Sequence, residues 1–167
     1  SRIGEHARIG PNTRLIDVVT GVRCTIESAR IEAAELGDNV TVGPFANIRP
    51  GCRIGDGCEI GSHAELKAAR LGRRVLVHHF SYLGDVEVGD DANIGAGTVT
   101  CNFDGVTKHR TIIGASAFIG SGTMLVAPMI VAEGGRTGAG SVVTRDVAAG
   151  ELVYGVPARP PHTGPGE

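Results

Sequence analysis

Aliphatic residues recur along most of this chain at an interval of six, with a few steps of five. The first uninterrupted run is Leu36, Val42, Ile48, Ile54, Ile60 and Leu66. It continues at Leu71, Val77, Leu83, Val88 and Ile94, and resumes after a gap at Ile113, Ile119, Leu125, Val131, Thr137 and Val143. This period is neither the 3.6 of a helix nor the 2 of a strand. It is typical of hexapeptide repeats and predicts an all-β parallel β-helix.

Each hexapeptide is expected to form one flat face of a three-sided coil, with its aliphatic residue pointing inward. Successive coils should stack at roughly 4.8 Å, the usual distance between paired strands. Glycine follows many of the inward residues, as in Ile54-Gly55 and Ile94-Gly95. We expect these glycines at the tight corners between faces. Hexapeptide repeats are known to form left-handed β-helices, an exception to the right-handed crossover rule, and we expect that handedness here.

The repeat suggests how the chain is organised. We predict a β-helix over residues 1–158, in which residues 1–30 keep the period only partly and form imperfect first coils. Between Ile94 and Ile113 the aliphatic period stops, and the segment contains the turn sequence Asn-Phe-Asp-Gly. We therefore predict one extruded loop over residues 101–112. The Pro- and Gly-rich segment 159–167 is expected to be a disordered or extended tail.

Composition narrows the possible functions. The 167 residues suit one domain, and the net charge of −2 gives no basis for nucleic-acid binding. No apolar run approaches the ~18 residues of a membrane span, and no signal peptide is visible, so we expect a cytoplasmic protein. The cysteines have no CxxC pairing, so we expect reduced thiols and no metal site. They are Cys24, Cys52, Cys58 and Cys101.

Chemically useful side chains cluster around the gap in the repeat. The chain has 14 arginines but only two lysines, Lys67 and Lys108, and a compact ammonium is a common phosphate partner. Lys67 comes before the predicted loop in the chain, and Lys108 lies within that loop. His79, which follows the inward Val77, should lie near a corner. A histidine close to Lys67 and Tyr82 is a candidate general base.

Five segments give a more specific resemblance: IRPG, ELKAARLG, HFSYLGD, NIGAGTVTCNFDG and SGTMLVAP. In this order they resemble the acetyltransferase domain of the bifunctional glucosamine-1-phosphate acetyltransferase/N-acetylglucosamine-1-phosphate uridyltransferase family, over roughly residues 31–147. The resemblance implies a homotrimer that transfers the acetyl group of acetyl-CoA to the amine of glucosamine-1-phosphate. The product would feed UDP-N-acetylglucosamine and cell-wall precursor synthesis. Such direct transfer needs neither a metal nor a covalent enzyme intermediate.

The same resemblance assigns roles to individual residues. His79 matches the general base, which accepts a proton from the substrate amine. The acceptor-binding positions are matched by Arg49, Lys67, Tyr82, Asn93 and Lys108. The acetyl-CoA positions are matched by Ala96, Asn102, Phe103, Ser121 and Ala139. Some of these would act through backbone N–H groups, which can stabilise the oxyanion of a tetrahedral intermediate.

The sequence also departs from the family pattern. Phe103 stands where the family often has Tyr, and the family's late CoA-binding Arg has no clear match. The ending ELVYGVPARP instead resembles simpler hexapeptide acyltransferases, which leaves Arg145 or Arg159 as candidates for the CoA phosphates. The family's Gly-rich uridyltransferase loop is absent from this sequence. The chain is therefore either a domain of a longer protein or a stand-alone acetyltransferase, and its start at Ser1 favours the former.

Three other functions remain open at this stage. The first is a hexapeptide acetyltransferase with another amino-sugar or amine acceptor. The second is a γ-type carbonic anhydrase, a β-helix trimer whose zinc is bound by three histidines, although the spacing of the histidines here fits it poorly. The candidate ligands would be His63, His78, His79 and His109. The third is a non-catalytic scaffold, against which the joint retention of His79 and Lys67 argues.

Overall fold

A computed structural model describes residues 1–161 and confirms the parallel β-helix with one extruded loop. Over these residues the chain is built from short strands, arranged in three sheets as a solenoid of about nine turns. Most turns contribute one strand to each sheet, and the strands of successive turns pair in parallel. The coil is therefore a three-sided prism, as the six-residue period predicts.

The first sheet has ten strands. They are β1 (Arg8–Ile9), β4 (Thr25–Ile26), β7 (Thr41–Val42), β10 (Glu59–Ile60), β13 (Leu76–Val77), β16 (Asn93–Ile94), β19 (Phe118–Ile119), β22 (Arg136–Thr137), β24 (Leu152–Gly155) and β25 (Ala158–Arg159). The last strand turns back and pairs with β24 antiparallel. This hairpin covers the C-terminal end of the sheet.

The second and third sheets have eight and seven strands. The second contains β2 (Arg14–Ile16), β5 (Arg30–Glu32), β8 (Asn47–Ile48), β11 (Glu65–Lys67), β14 (Tyr82–Gly84), β17 (Val99–Cys101), β20 (Met124–Val126) and β23 (Val142–Val143). The third contains β3 (Val19–Thr20), β6 (Glu35–Leu36), β9 (Arg53–Ile54), β12 (Arg70–Leu71), β15 (Val86–Val88), β18 (Thr111–Ile113) and β21 (Met129–Val131).

The inward residues form the columns that the repeat predicts. In the first sheet Ile60, Val77, Ile94 and Ile119 are in register on successive coils, and all are almost fully buried. Thr137 continues this column and is also buried. Its hydroxyl is satisfied by the backbone N–H of Gly120 at 3.0 Å and the Thr123 hydroxyl at 2.9 Å. A threonine is therefore tolerated in the apolar column because its polar atom is hydrogen-bonded.

The repeat continues further toward the loop than its aliphatic residues indicate. Thr100, six residues after Ile94, is fully buried in strand β17 and occupies an inward position beside Leu83 and Leu125. Its hydroxyl accepts from the backbone N–H of Gly84 at 2.8 Å and donates to the Gly84 carbonyl at 3.1 Å. The chain therefore leaves the coil only after Cys101, where β17 ends, and returns at Thr111, where β18 begins.

The glycines that follow the inward residues are needed mainly because the backbones of neighbouring coils approach closely, and less because of an unusual φ. A Cβ on Gly95 would lie 2.6 Å from both the Ile119 carbonyl oxygen and the Ser121 nitrogen of the next coil. Many positive-φ corners carry other residues, such as Ala33 at 43° and Ala68 at 47°. The expectation that glycine supplies the corner conformation is thus only partly right. Stacking of the coils at the spacing of paired strands excludes a side chain at these positions.

The ends of the chain complete the fold. Residues 1–30 contain the five strands β1 to β5, of which β5 extends to Glu32, and β1 already pairs with β4 of the next turn. Arg159 belongs to strand β25, while residues 162–167 of the predicted tail lie outside the described residues. Within residues 1–161, no helix has the length and apolar character needed to cross a membrane.

Candidate active site

His79 lies at the corner between the first and second sheets, at the base of a column of small residues. The corner carries one residue per coil, and above His79 these residues are Ala96, Ser121 and Ala139. The hydrogen bonds that join the coils are Gly97 N to His79 O at 3.0 Å, Gly122 N to Ala96 O at 2.7 Å, and Gly140 N to Ser121 O at 2.8 Å. The fold thus aligns the predicted base with three of the five predicted acetyl-CoA residues. We call these four residues the corner ladder.

His79 itself is exposed and adopts a left-handed φ of 47°. Its ring lies beside those of His78 and Phe80, with centroids 5.6 and 6.5 Å away. His78 is turned toward Glu59, 3.4 Å from its carboxylate, so the two adjacent histidines have different surroundings. A groove of about 250 Å³ on the first sheet ends at these two residues. His79 is therefore accessible to a substrate amine.

Exposed aromatic rings continue the same corner on the N-terminal side of His79. Phe80 stacks on His63, with centroids 5.3 Å apart, and His63 packs against Phe45 at 5.1 Å. Phe45 is 61% and Phe80 67% exposed. The two rings form an exposed apolar strip beside the predicted base, and the chain's other phenylalanines, Phe103 and Phe118, are exposed as well.

A second group of predicted residues meets on the outer face of the second sheet. Lys67 is in register with Gly84 of the next coil, and Tyr82 lies on the same strand as Gly84. A Cβ on Gly84 would come within 2.5 Å of the Tyr82 hydroxyl and 2.6 Å of Asn102 Nδ2. The phenol and the amide therefore close over a glycine, with Lys67 beside them. We call Lys67, Tyr82, Asn102 and Lys108 the polar cluster.

Lys108 brings a second cation to this cluster. A side-chain hydrogen-bonding contact with Lys67, together with the like charge of its ammonium group, holds the pKa of Lys108 below its usual range. The negative charge of Asp85 partly opposes this effect. Lys67 and Lys108 thus bring two positive charges to the cluster, and neighbouring ammonium groups suit an anion with several negative oxygens.

The extruded loop is held in shape by its own hydrogen bonds. Phe103 and Lys108 face each other in an antiparallel bridge, and the His109 N–H donates to the Asn102 carbonyl at 2.7 Å. Asp104 accepts from two backbone N–H groups at 2.7 Å and from His109 Nε2 at 2.6 Å. These donors lower the pKa of Asp104 well below its usual range. The loop therefore presents Lys108 from an ordered turn.

The other predicted residues lie around these two groups. Arg49 follows β8 next to Lys67 and forms an ion pair with Glu65 at 2.9 Å. Asn93 lies on the outer face of the first sheet, in register with Leu76 and Phe118, around the corner from Tyr82. Phe103 is 58% exposed on the loop. One chain thus places the predicted acceptor residues on two walls that meet at His79.

The two arginines considered for the CoA phosphates lie in different places. Arg159 pairs with Tyr154, whose side chain packs beside Gly138 next to the top of the corner ladder. Arg145 follows strand β23, at the far edge of the second sheet. Of these two arginines, only Arg159 therefore lies at the C-terminal end of the first sheet, the end toward which the corner ladder runs.

The cysteines are free thiols, and no group of potential metal ligands is found among the described residues. All four cysteines are free, and Cys24, Cys52 and Cys58 are buried, which raises the pKa of each thiol. Cys101 is partly exposed, and its pKa is also raised by desolvation. Within residues 1–161, no three His, Cys, Asp or Glu side chains are grouped as metal ligands would be.

Two site residues escape a reading of the sequence. Gly84 provides the space over which Tyr82 and Asn102 close, but it is one of 26 glycines. Asp85 accepts from Asn102 Nδ2 at 2.6 Å, although it is far from Asn102 in the sequence. A signal for Asp85 exists: the equivalent corners of two earlier coils carry Ala33 and Ala68. It becomes visible only once the coils are aligned.

Replacing Gly84 with alanine should impair the polar cluster while leaving the fold intact. The new methyl group would displace the ends of two side chains, the Tyr82 hydroxyl and the Asn102 amide, so the coil need not move. We expect acceptor-dependent activity to fall by about 10- to 100-fold, on the scale of two lost hydrogen bonds. Steady-state kinetics and a thermal unfolding curve would check this. A variant with the activity of the wild type would show that the two side chains are not used.

Comparison with known proteins agrees with this architecture. Residues 33–68 match the family described as "Bacterial transferase hexapeptide (six repeats)". The bifunctional GlmU protein of Alkalilimnicola ehrlichii is 51% identical over 145 residues, which cover 86% of this chain and 31% of that protein. The GlmU protein of Heliobacterium modesticaldum is 47% identical over 150 residues, covering 90% of this chain and 33% of that protein.

Solved structures are similar in the same way. The acetyltransferase domain of PglB from Neisseria gonorrhoeae matches with a TM-score of 0.66 at 28% identity, covering 72% of this chain and 57% of that one. PerB from Caulobacter crescentus, solved with CoA and GDP-perosamine, also matches with a TM-score of 0.66. At 21% identity, over 73% of this chain and 56% of that one, it supports the fold alone.

Together the fold and the repeat match define a transferase of the hexapeptide-repeat class. More narrowly, the chain matches the acetyltransferase domain of the bifunctional GlmU proteins, as its motifs predict. It spans about a third of the length of these relatives, between 31% and 34%.

Proposed function

We propose that this chain transfers the acetyl group of acetyl-CoA to the amine of glucosamine-1-phosphate, as the acetyltransferase domain of its family. The observation that carries the proposal is the meeting at His79 of the corner ladder and the wall that bears the polar cluster. The corner ladder supplies small residues and backbone groups along which the narrow arm of acetyl-CoA can lie. The wall that bears the polar cluster supplies cations and hydrogen-bonding groups for a phosphorylated sugar. The product would enter UDP-N-acetylglucosamine and cell-wall precursor synthesis.

His79 would act as the general base. The sugar amine, which is largely protonated at neutral pH, must lose a proton before its lone pair can attack the thioester carbonyl. The imidazole accepts that proton, and the free amine attacks the carbonyl carbon to form the C–N bond. The C–S bond then breaks, and the second proton that the nitrogen loses protonates the thiolate, so that CoA leaves as a thiol. Ala96 or Ser121 could offer a backbone N–H to the oxyanion of the tetrahedral intermediate. No covalent bond to the protein is needed.

The polar cluster would hold the acceptor. Lys67 and Lys108 would bind the phosphate, which matches two neighbouring ammonium groups in charge. Tyr82 and Asn102 would hydrogen-bond the sugar or the thioester end of the cofactor. Arg49 and Asn93 lie further from the cluster and would contact the acceptor where the two walls meet. Phe103 would pack against the cofactor through its ring.

Assembly as a homotrimer is part of the proposal, because the two walls meet at a convex edge. A convex edge cannot enclose a ligand, and His79 stands exposed on it. The exposed strip that contains Phe45 and Phe80 runs along the same edge and would be covered by a neighbouring chain. Closed threefold symmetry would then create three equivalent sites between chains.

The end of the cofactor that carries the phosphates would reach Arg159. Four coil steps of roughly 4.8 Å separate the level of His79 from that of Tyr154, a rise of about 19 Å. The pantetheine arm has about 13 bonds from sulfur to the first phosphorus and spans roughly 15 Å when extended, at about 3.5 Å for every three bonds. A cofactor with its thioester at His79 would therefore place its phosphates near the terminal hairpin.

Replacing Arg159 with alanine should therefore weaken acetyl-CoA binding. We expect KM for acetyl-CoA to rise by about 10-fold, with little change in KM for the acceptor, because one charged contact is lost. Arg145→Ala is the matched control and should leave both constants near those of the wild type. The reverse pattern would assign the phosphate contact to Arg145. Initial rates with either substrate varied would distinguish the two.

The direct test of the function is thiol release from acetyl-CoA with glucosamine-1-phosphate present or absent. We expect release that depends on the acceptor and forms N-acetylglucosamine-1-phosphate, confirmed by mass spectrometry. Glucosamine and glucosamine-6-phosphate should be poor acceptors, because they lack a phosphate at the position that Lys67 and Lys108 serve. Thiol release with a different amine alone would support the acyltransferase reaction and identify a different acceptor. A folded trimer with no release with any amine would support a scaffold role.

A further inference from the structure

Asp85 ties together the two ends of the extruded loop. Its carboxylate Oδ2 accepts from Asn102 Nδ2 at 2.6 Å, at the point where the chain leaves the coil. Its backbone carbonyl accepts from the N–H of Thr111 at 3.2 Å, where the chain returns. Its backbone N–H donates to the Lys67 carbonyl at 3.0 Å. One residue thus contacts both ends of the loop and the strand of Lys67.

The corner that Asp85 occupies does not itself require an acidic residue. The same corner carries Ala33 and Ala68 on earlier coils, with φ values of 43° and 47°, against 51° for Asp85. Asp17 holds the corner of the first coil at 53° and is exposed, with no loop above it. Alanine is therefore compatible with this backbone. The carboxylate of Asp85 is thus not required to form the corner and is available for other contacts.

The carboxylate determines which way the Asn102 amide faces. An ionised carboxylate only accepts hydrogen bonds, so the NH₂ end of Asn102 must face Asp85. The amide oxygen is then turned away as a free acceptor. Asn102 is only 6% exposed, which leaves few alternative arrangements. The negative charge of Asp85 also acts on Lys108 in the same loop and partly offsets its repulsion from Lys67.

We propose that Asp85 is a positioning residue that orients the Asn102 amide and holds the Lys108 loop over the acceptor site. This rests on the proposed function, since the groups that it positions are those assigned to the ligands. Asp85 does not touch the reacting atoms. It acts through Asn102 and Lys108, so its loss should affect binding of the acceptor more than the rate of the chemical step.

The kinetic test compares Asp85→Ala, Asp85→Asn and Asp17→Ala in the full chain. Asp85→Ala should raise KM for glucosamine-1-phosphate by about 10- to 100-fold while kcat falls by less than about fivefold. Asp85→Asn keeps an oxygen that can accept from Asn102 and should stay within about threefold to fivefold of the wild type. Asp17→Ala removes a carboxylate from an equivalent corner and should change neither constant.

A second measurement does not depend on the acceptor. The chain has five asparagines, so ¹⁵N-asparagine labelling gives a short set of side-chain amide signals, in which that of Asn102 is identified by its loss in Asn102→Ala. Asp85→Ala should shift this signal, whereas Asp17→Ala should not. If the wild type proves inactive with glucosamine-1-phosphate, the proposed function fails, and this spectrum alone decides the positioning of Asn102.

Three results would overturn the proposal. One is an Asp85→Ala protein with wild-type KM and an unchanged Asn102 signal. Another is an equal rise in KM for Asp17→Ala, which would indicate a general effect of corner substitutions. The third is an Asp85→Asn protein as impaired as Asp85→Ala, which would show that an acceptor oxygen at this position is not what matters.

Discussion

Replacing His79 with alanine is expected to lower kcat by about 10²- to 10⁴-fold, the usual contribution of a general base. The folded coil should be retained, because the equivalent left-handed conformation is adopted by alanine at other corners, for example Ala68. Binding of both substrates should change little, since the imidazole acts on a proton. Single-turnover and steady-state rates beside a thermal unfolding curve would measure the effect.

His78→Ala is the matched control for this experiment. His78 precedes His79 directly, but its ring is turned toward Glu59. We expect its loss to lower kcat by less than about threefold. Equal losses in the two variants would mean that neither histidine is the specific base, and that the corner as a whole had been disturbed.

Replacing Lys67 with alanine is expected to raise KM for glucosamine-1-phosphate by about 10- to 100-fold, as for one lost charged hydrogen bond, while kcat changes less. KM for acetyl-CoA should stay close to the wild-type value, because the corner ladder does not include this lysine. Arg70→Ala removes a nearby cation from the third sheet and should have little effect. An effect of Arg70→Ala as large as that of Lys67→Ala would indicate general charge attraction, without a specific phosphate contact.

The Lys67 variant should also change how acceptor binding depends on pH. Lys67 lowers the pKa of Lys108, so in the wild type Lys108 loses its charge at a lower pH than an ordinary lysine. KM for the phosphorylated acceptor should accordingly rise as the pH is raised through that pKa. Without Lys67 the pKa of Lys108 moves back up, and the rise in KM should begin at a higher pH. An unchanged profile would mean that the two ammonium groups do not interact.

These expectations share one physical idea, in which a stiff coil positions His79, Lys67 and Tyr82 and the extruded loop adds Asn102 and Lys108. The three walls of the prism are held by inward columns of aliphatic residues, with Thr100 and Thr137 satisfied by hydrogen bonds. Before the terminal hairpin of β24 and β25, the loop after Cys101 is the one place where the chain leaves this scaffold within the described residues 1–161. Binding residues are often found on loops that a rigid scaffold supports.

The fold could be predicted from the sequence, together with candidate site residues that the structure brings close to one another. The period of six arises because each face of the coil needs one inward aliphatic residue, so a local pattern reports the whole architecture. The family motifs identified His79 and the residues of the corner ladder, and the structure places these at one corner. The gap in the repeat indicated the loop, and only the structure shows that Thr100 continues the inward column up to its start.

Relations between coils were decided only by the tertiary structure. The contact of Asp85 with Asn102, the space over Gly84 and the position of Arg159 beside Tyr154 all join residues from different strands or turns. These contacts depend on which residues of neighbouring coils are in register. That register shifts along the chain wherever a step of five residues or the extruded loop interrupts the period of six. By itself the sequence determined the repeat, the β-helix and the residue types of the site, because these are local patterns. Which side chains meet was decided by stacking, because stacking brings together residues that are distant in the chain.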